Sequence, residues 1–284
     1  MDINICIVGM GLIGGSLAKA AMVYTSYIVF GIDNNATVLK EVEKNNAADK
    51  TALADTDDMA ELLAESDIVI LALSPQNAIN FMQNHAEKIK KGAVVTDVCG
   101  VKCVITEKLE PLCTGLGLHF IGGHPMAGKE RGGFENSDTN LFDGASYILT
   151  PSDTCDAQMI DTMAVFAHDI GCKQVEITTP AHHDEMIAFT SQLPHVLAGA
   201  YIKSPASKQF RGYSAGSFRD VSRVATVDEK LWSDLFLCNK DNLCSEIDGL
   251  INRLREYKNA IQNDDQAALT EIIKEGRMKK EEIE

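Results

Sequence analysis

Ile5-Cys6-Ile7-Val8-Gly9-Met10-Gly11-Leu12-Ile13-Gly14-Gly15-Ser16 sets a short apolar run directly against the spacing G-x-G-x-x-G and then a helix-like segment. The run reads as a buried strand, because it is apolar at consecutive positions and is closed by glycine. Each glycine has a separate task in such a turn. Gly9 permits the tight reversal, Gly11 lets backbone approach a pyrophosphate, and Gly14 allows close packing of helix on strand. The helix that follows offers N–H donors and partial positive charge to phosphates. Glycines alone often serve only a turn, so the second half of the pattern matters. The next apolar run, 27–32, ends on Asp33, which lies 19 positions beyond Gly14 (33 minus 14). A carboxylate there accepts hydrogen bonds from a ribose 2′-hydroxyl and repels a 2′-phosphate. Asn34 and Asn35 follow, and no arginine offsets that repulsion. The pattern therefore favours NAD over NADP, with Gly9, Gly11, Leu12, Ile13, Gly14 and Asp33 as the expected cofactor contacts.

Working outward, helix-like segments at 12–22 and 34–45 alternate with apolar runs at 3–8, 27–32, 68–73, 93–96, 146–149 and 173–177. Uninterrupted apolar strands separated by helices predict a mostly parallel sheet covered on both faces. Ser74-Pro75 closes the run at 68–73. Ser74 is thus expected either near the nicotinamide, at the carboxyl end of the sheet, or merely where a strand stops. The character changes at Thr178-Thr179-Pro180. Thr179 suits a helix cap and Pro180 a first turn, while Asp184 and Glu185 favour the N-terminus of that helix. No strand-like run follows. From Leu243 onward apolar residues fall at 243, 247, 250, 254, 257 and 261, the period of a long amphipathic helix. The expected organisation is α/β: a Rossmann-type, doubly wound domain over residues 1–178, then an all-helical domain over 179–284.

The bulk properties exclude several classes. A hydrophobic fraction of 45% and a charged fraction of 24% describe a globular chain. No 18-residue apolar stretch predicts a membrane span, and Met1-Asp2-Ile3-Asn4-Ile5 has no basic, then apolar leader. The expectation is a soluble cytoplasmic protein. Eight cysteines without any C-x-x-C pair read as free thiols in a reducing compartment, and no metal site is expected. A net charge of -15 argues against nucleic acid or an anionic membrane as partner. Against that background Lys203, Lys208, Arg211, Arg219 and Arg223 cluster with a single acid, Asp220. They form either a solvated basic face or a local pocket for a small anion. Screening within about 8 Å lets such a pocket work inside an acidic protein.

A nicotinamide enzyme that oxidises an alcohol needs a base for the hydroxyl proton. Seven histidines are available. His85 and His168 lie in polar helical surroundings and are expected on the surface, and His119 reads as packed within a strand. His124 sits in Gly122-Gly123-His124-Pro125-Met126-Ala127-Gly128, a stretch too rich in small residues to be ordinary core. His195 sits in Ser191-Gln192-Leu193-Pro194-His195. These stretches, with Gly-Leu-Ile-Gly-Gly-Ser at 11–16 and Phe-Arg-Asp-Val-Ser-Arg at 218–223 followed by Trp232, resemble the prephenate dehydrogenase family, in order and over essentially the whole chain.

The resemblance implies oxidative decarboxylation of prephenate to 4-hydroxyphenylpyruvate with NAD, on the route to tyrosine. It implies that His124 takes the proton of the C4 hydroxyl, and that His195 and Arg223 grip substrate carboxylate. Glu130 would gate or shape the site, completing the expected catalytic set. Gly216 and Trp232 would reach the neighbouring subunit's substrate pocket, which implies a homodimer built by the helical domain. Two departures stand out. Gly100, in Asp97-Val98-Cys99-Gly100-Val101-Lys102, replaces a family serine that helps orient the catalytic histidine, so another group must do that job. Gln192 replaces a histidine. Rival readings are an arogenate dehydrogenase, another two-domain dehydrogenase or imine reductase with a catalytic Lys or Asp in the linking helix, and a non-catalytic NAD sensor. The last would need a partner-binding surface that the sequence does not offer.

Overall fold

The computed structural model describes residues 3–129 and 131–283. Eight strands form one sheet: β1 (Asn4–Val8), β2 (Ile28–Asp33), β3 (Lys50–Leu53), β4 (Ile68–Leu71), β5 (Val94–Asp97), β6 (His119–Pro125), β7 (Ser146–Pro151) and β8 (Gln174–Ile177). Their order is β3-β2-β1-β4-β5-β6-β7-β8, parallel throughout except for the antiparallel pair β6–β7. The helices of the first part are α1 (Leu12–Tyr24), α2 (Ala36–Lys44), α3 (Asp57–Glu65), α4 (Pro75–His85), α5 (Cys103–Leu116), α6 (Ala157–Asp169) and α7 (Pro180–Ile187). Later in the chain come α8 (Leu193–Ile202), α9 (Gly216–Ser222), α10 (Glu229–Cys238), α11 (Lys240–Gln262) and α12 (Gln266–Glu282). The α/β sheet followed by helices is the architecture the apolar spacing predicts.

Strand β1 shows why its sequence carries no polar face. Ile5 and Ile7 pack with Leu17 and Ala21 of α1 and with Met163 and Phe166 of α6. Cys6 and Val8 point the other way, into a core with Met59 of α3, Met82 of α4 and Leu109 of α5. Alternate side chains thus enter two different cores, and both must be apolar. Because β1 pairs with β2 on one side and β4 on the other, the strand order reverses there, and the carboxyl ends of β1 and β4 flank the crevice typical of ligand sites.

One histidine departs from expectation. His85 is buried, its ring tilted at 52° against Phe81 with centroids 4.9 Å apart, and its Nε2 lies 3.0 Å from Asp55. It shares a helical face with the buried Ala78 and Met82, so the polar neighbours in sequence belong to the opposite face of α4. His168 is exposed, as expected.

The chain divides into two compact units. The first runs to Ile187 and also includes Ala225–Cys238, hence α7 and α10. The second comprises Ala188–Val224 and Asn239–Glu284 and is helical. In it α11 buries Leu243, while Leu254 and Ile261 of the same stripe stay 53% and 60% exposed. Among the described residues no helix is long and apolar enough to cross a membrane.

Candidate active site

The glycine turn adopts the geometry its spacing requires. Gly9 has φ +94°, and its N–H donates to Ile32 O at 2.7 Å, tying the turn to the end of β2. A Cβ on Gly14 would lie 1.9 Å from Gly9 O, so helix α1 can sit this close to β1 only without a side chain there. At Gly11 an added Cβ would meet nothing within 4 Å, which leaves open space at the N-terminus of α1, where Leu12 and Ile13 begin the helix. The Asp33 carboxylate accepts from Met10 N at 2.7 Å and from Asn35 N at 2.9 Å. Each oxygen keeps lone-pair capacity for a further donor. Ser74 is the residue before α4, three positions after the end of β4 at Leu71. This turn, open space and carboxylate fit a dinucleotide.

His124 stands near the end of β6, paired with Ile148 of β7. Its Nδ1 lies 2.8 Å from Nε2 of His183, on α7. His183 is 1% exposed, and its own Nδ1 lies 2.7 Å from Oδ1 of Asp184. Asp184 is fixed in turn: Oδ1 accepts from Lys102 N at 2.7 Å and Oδ2 from Cys103 N at 2.9 Å. Those two amides open α5, so the carboxylate serves the N-terminus of α5 and not that of its own helix. This corrects the sequence expectation for Asp184. The anchoring of α7 instead falls to Thr179, whose Oγ1 accepts from His182 N at 3.3 Å.

Below this row lies a buried ion pair, Asp97 with Lys102, both fully buried. Asp97 Oδ2 also accepts from Cys99 N at 2.9 Å, and Oδ1 from Gly123 N at 3.3 Å, which pins the residue before His124. A Cβ on Gly122 would stand 3.0 Å from Lys102 Cδ and 2.3 Å from Thr150 Oγ1. Gly122 thus makes room for the lysine stem, and Gly123, whose Cβ would stand 2.5 Å from Asp97 O, for the main chain of β5. Removing either charge would strand the other in a dry interior, at a cost of about 3–5 kcal/mol.

The same environment sets the protonation states. Burial, then the neighbouring His183 and Lys102, hold the His124 imidazole well below its ordinary value of 6.5. Burial likewise lowers His183, against the pull of Asp184. For Asp184 burial pushes upward, but the bonds from His183, Cys103 N and Lys102 N outweigh it and keep the carboxyl below the usual range. The row is therefore an ionised carboxylate and two neutral imidazoles at neutral pH. Neutral His124 is what a general base requires.

The other expected residues divide between the units. His195 and Arg223 belong to the second. His195 Nδ1 donates to Val224 O at 2.8 Å, and burial, then Arg223, lower its proton affinity. Gly216 is the first residue of α9, and Arg223 directly follows that helix. Trp232 lies on α10, in the first unit, edge-on to Phe236 at 5.5 Å. Gln192 is buried in a π-helical turn, Ala188–Gln192, and accepts from Asn239 Nδ2 at 2.9 Å. Lys203, Lys208, Arg211, Arg219 and Arg223 are all exposed. Glu130 lies outside the described residues. Position 100 does adjoin the His124 imidazole: a Cβ there would be 3.9 Å from His124 Cε1. Sequence reasoning missed His183, Asp184 and the Asp97–Lys102 pair; the adjacent His183-Asp184 was the available signal.

Comparison with known proteins adds the following. The family models described as "Prephenate dehydrogenase, nucleotide-binding domain" and "Prephenate dehydrogenase, dimerization domain" match residues 18–176 and 179–275. A cyclohexadienyl dehydrogenase of Zymomonas mobilis is 33% identical over 96% of this chain and 94% of its own length. A solved prephenate dehydrogenase of A. aeolicus, in complex with hydroxyphenyl propionate and NAD+, superposes with TM-score 0.85 at 29% identity, covering 100% of this chain and 99% of that one. An arogenate dehydrogenase of Synechocystis superposes with TM-score 0.84 at 26% identity, covering 99% of this chain and 100% of that one.

Proposed function

The chain belongs to the prephenate dehydrogenase family, and on that premise we propose that it oxidises prephenate with NAD to 4-hydroxyphenylpyruvate and carbon dioxide. The observation that carries this reading is His124, a neutral imidazole whose Nδ1 is held by His183 and whose Nε2 remains for substrate. Nε2 takes the proton of the C4 hydroxyl, so the O–H pair stays on oxygen and forms a carbonyl. When bound, the nicotinamide accepts the C4 hydrogen as hydride. Departure of the ring carboxylate as carbon dioxide leaves its bonding pair to aromatise the ring, and Nε2 returns the proton to the phenolate oxygen. Atoms and charge balance with no net proton released. Arg223 and His195 bind carboxylate in this reading, the planar guanidinium offering paired donors. Gly9, Gly11, Leu12, Ile13 and Gly14 hold the pyrophosphate, Asp33 the ribose, and Ser74 flanks the nicotinamide.

A second reading, arogenate as substrate, is supported by the arogenate dehydrogenase among the structural relatives. The ring chemistry is identical, and the two substrates differ only in carrying a keto group or an amine on the side chain. Purified protein with NAD and either compound, followed by absorbance of the reduced cofactor, separates them. Higher kcat/KM with prephenate is expected. A preference for arogenate would replace the first reading, and no reduction with either would end both.

The protein works as a homodimer in this reading, with Gly216 and Trp232 completing the partner's pocket. The half-exposed stripe of α11 and the dimerization-domain match support it. Sedimentation equilibrium that found the active species at 30.9 kDa would refute it.

A further inference from the structure

We infer that His183 and Asp184 form a positioning pair that fixes the tautomer and orientation of His124, the task left open by glycine at position 100. The inference rests on His124 being the base. It follows from donor and acceptor accounting along one row of atoms. Both Asp184 oxygens already accept backbone N–H bonds, and an ionised carboxylate has nothing to donate. The atom facing it, Nδ1 of His183, must therefore carry the proton. Neutral His183 then has a lone pair at Nε2, which can only accept. The atom facing that, Nδ1 of His124, must carry the proton in its turn. The lone pair of His124 is left on Nε2, where a base needs it.

Three features make the assignment rigid. His183 is 1% exposed, so bulk water does not compete for either of its nitrogens. Asp184 is held by the first amides of α5 and cannot swing away. The row joins α5, α7 and β6, so the histidine ring is aligned by the fold and not by a mobile side chain. A free imidazole in water favours the proton on Nε2, which would be the wrong tautomer for this reaction. When Nε2 of His124 takes up the substrate proton, the bond from its Nδ1 to His183 becomes charge-assisted and stronger. The carboxylate behind His183 faces that new charge.

Two measurements test the pair. In protein labelled with nitrogen-15 in histidine, long-range imidazole spectra report which nitrogen of His124 is protonated, the signals being identified by their loss in His124→Asn. Protonation on Nδ1 at neutral pH is expected, and protonation on Nε2 would overturn the inference with His183 and Asp184 left unaltered. The second compares His183→Leu, which removes the acceptor, with His183→Gln, whose Oε1 can replace it. The leucine variant should lose about 100-fold in kcat, the scale of a misaligned catalytic group, with KM for prephenate within a factor of three. The glutamine variant should recover most of that loss. If His124→Asn is inactive while His183→Leu keeps more than half of wild-type kcat, the positioning pair is wrong and the base stands. If His124→Asn is itself fully active, the base assignment fails first.

Discussion

The glycine turn after β1 and the histidine row beside β6 serve one reaction, yet they are built in opposite ways. The turn draws on Gly9 to Gly14 and on Asp33, close in sequence and joined by main-chain geometry. The row gathers Lys102, His124, His183 and Asp184, with sequence separations of 59 between the histidines and 82 between Lys102 and Asp184. In the turn, side chains are mostly absent and the backbone does the binding. In the row, side-chain nitrogens and oxygens pass a hydrogen-bond direction from one element to the next. Binding a dinucleotide demands that atoms be kept out of the way. Holding a base in one tautomer demands that donors and acceptors be fixed in sequence. The first demand leaves a local mark on the chain and the second does not.

The sharpest way to break this comparison is to damage each region and see which kinetic constant responds. His124→Asn keeps a side chain able to hydrogen-bond but removes the base. It should lower kcat by about 100- to 10,000-fold while the affinity for NAD stays near wild type. Stopped-flow or steady-state assays alongside calorimetric NAD titration would show this. Turnover within a factor of two of wild type would remove His124 from the mechanism and dissolve the contrast.

Gly14→Ala attacks the other region with one methyl group. Its Cβ would meet Gly9 O at 1.9 Å and Ala72 Cβ at 2.9 Å, so α1 must shift away from β1. Overpacking of this kind costs about 1–3 kcal/mol, or roughly five- to 150-fold if it falls on cofactor affinity. KM for NAD should rise and thermal stability fall, with kcat at saturating NAD changed far less. A loss confined to kcat would show that the turn and the row are not separable.

The difference also explains what could be read in the sequence. The strands were legible because β1 and β4 are buried on both faces and so carry no polar position. The position of Asp33 beside the turn was legible because it follows a strand at a fixed distance from a fixed turn. His124 stood out through its glycines, whose cause is the Lys102 stem and the Thr150 hydroxyl beside Gly122 and the Asp97 carbonyl beside Gly123. His183 and Asp184 gave no such sign. Asp184 lies in the first turns of α7, where an acid has an ordinary local explanation, and only the packing of α7 on α5 supplies the other one. His85 misled for a related reason, since its polar neighbours in sequence lie on the other side of α4. Local pattern shows a residue's own element, but not the element that element packs against.

The smallest expected effect is a shift in the acidic limb of the pH profile, and its sign follows from the row. His124 is active as a base only when unprotonated, so kcat/KM must fall as pH drops through the value at which the row takes up a proton. Protonating His183 instead has the same result, because its Nε2–H would then face Nδ1 of His124 and force that ring into the inactive tautomer. The limb therefore belongs to the pair and not to either ring. The charged groups that act on the pair are Lys102 at the start of α5, Asp97 at the end of β5, and Asp184 beside His183 on α7. Asp97 and Asp184 favour a proton on His183, but burial, His183 and Lys102 oppose one on His124, and burial dominates for both histidines. Both rings are lowered, so the enzyme should keep its activity below the ordinary imidazole value near 6.5 and lose it only at more acidic pH. The profile of kcat/KM for prephenate at saturating NAD measures this directly. A midpoint at or above 6.5 would mean that the row is wet and relaxed in the working enzyme, and that its donors and acceptors are not held in the fixed order on which the contrast with the glycine turn depends.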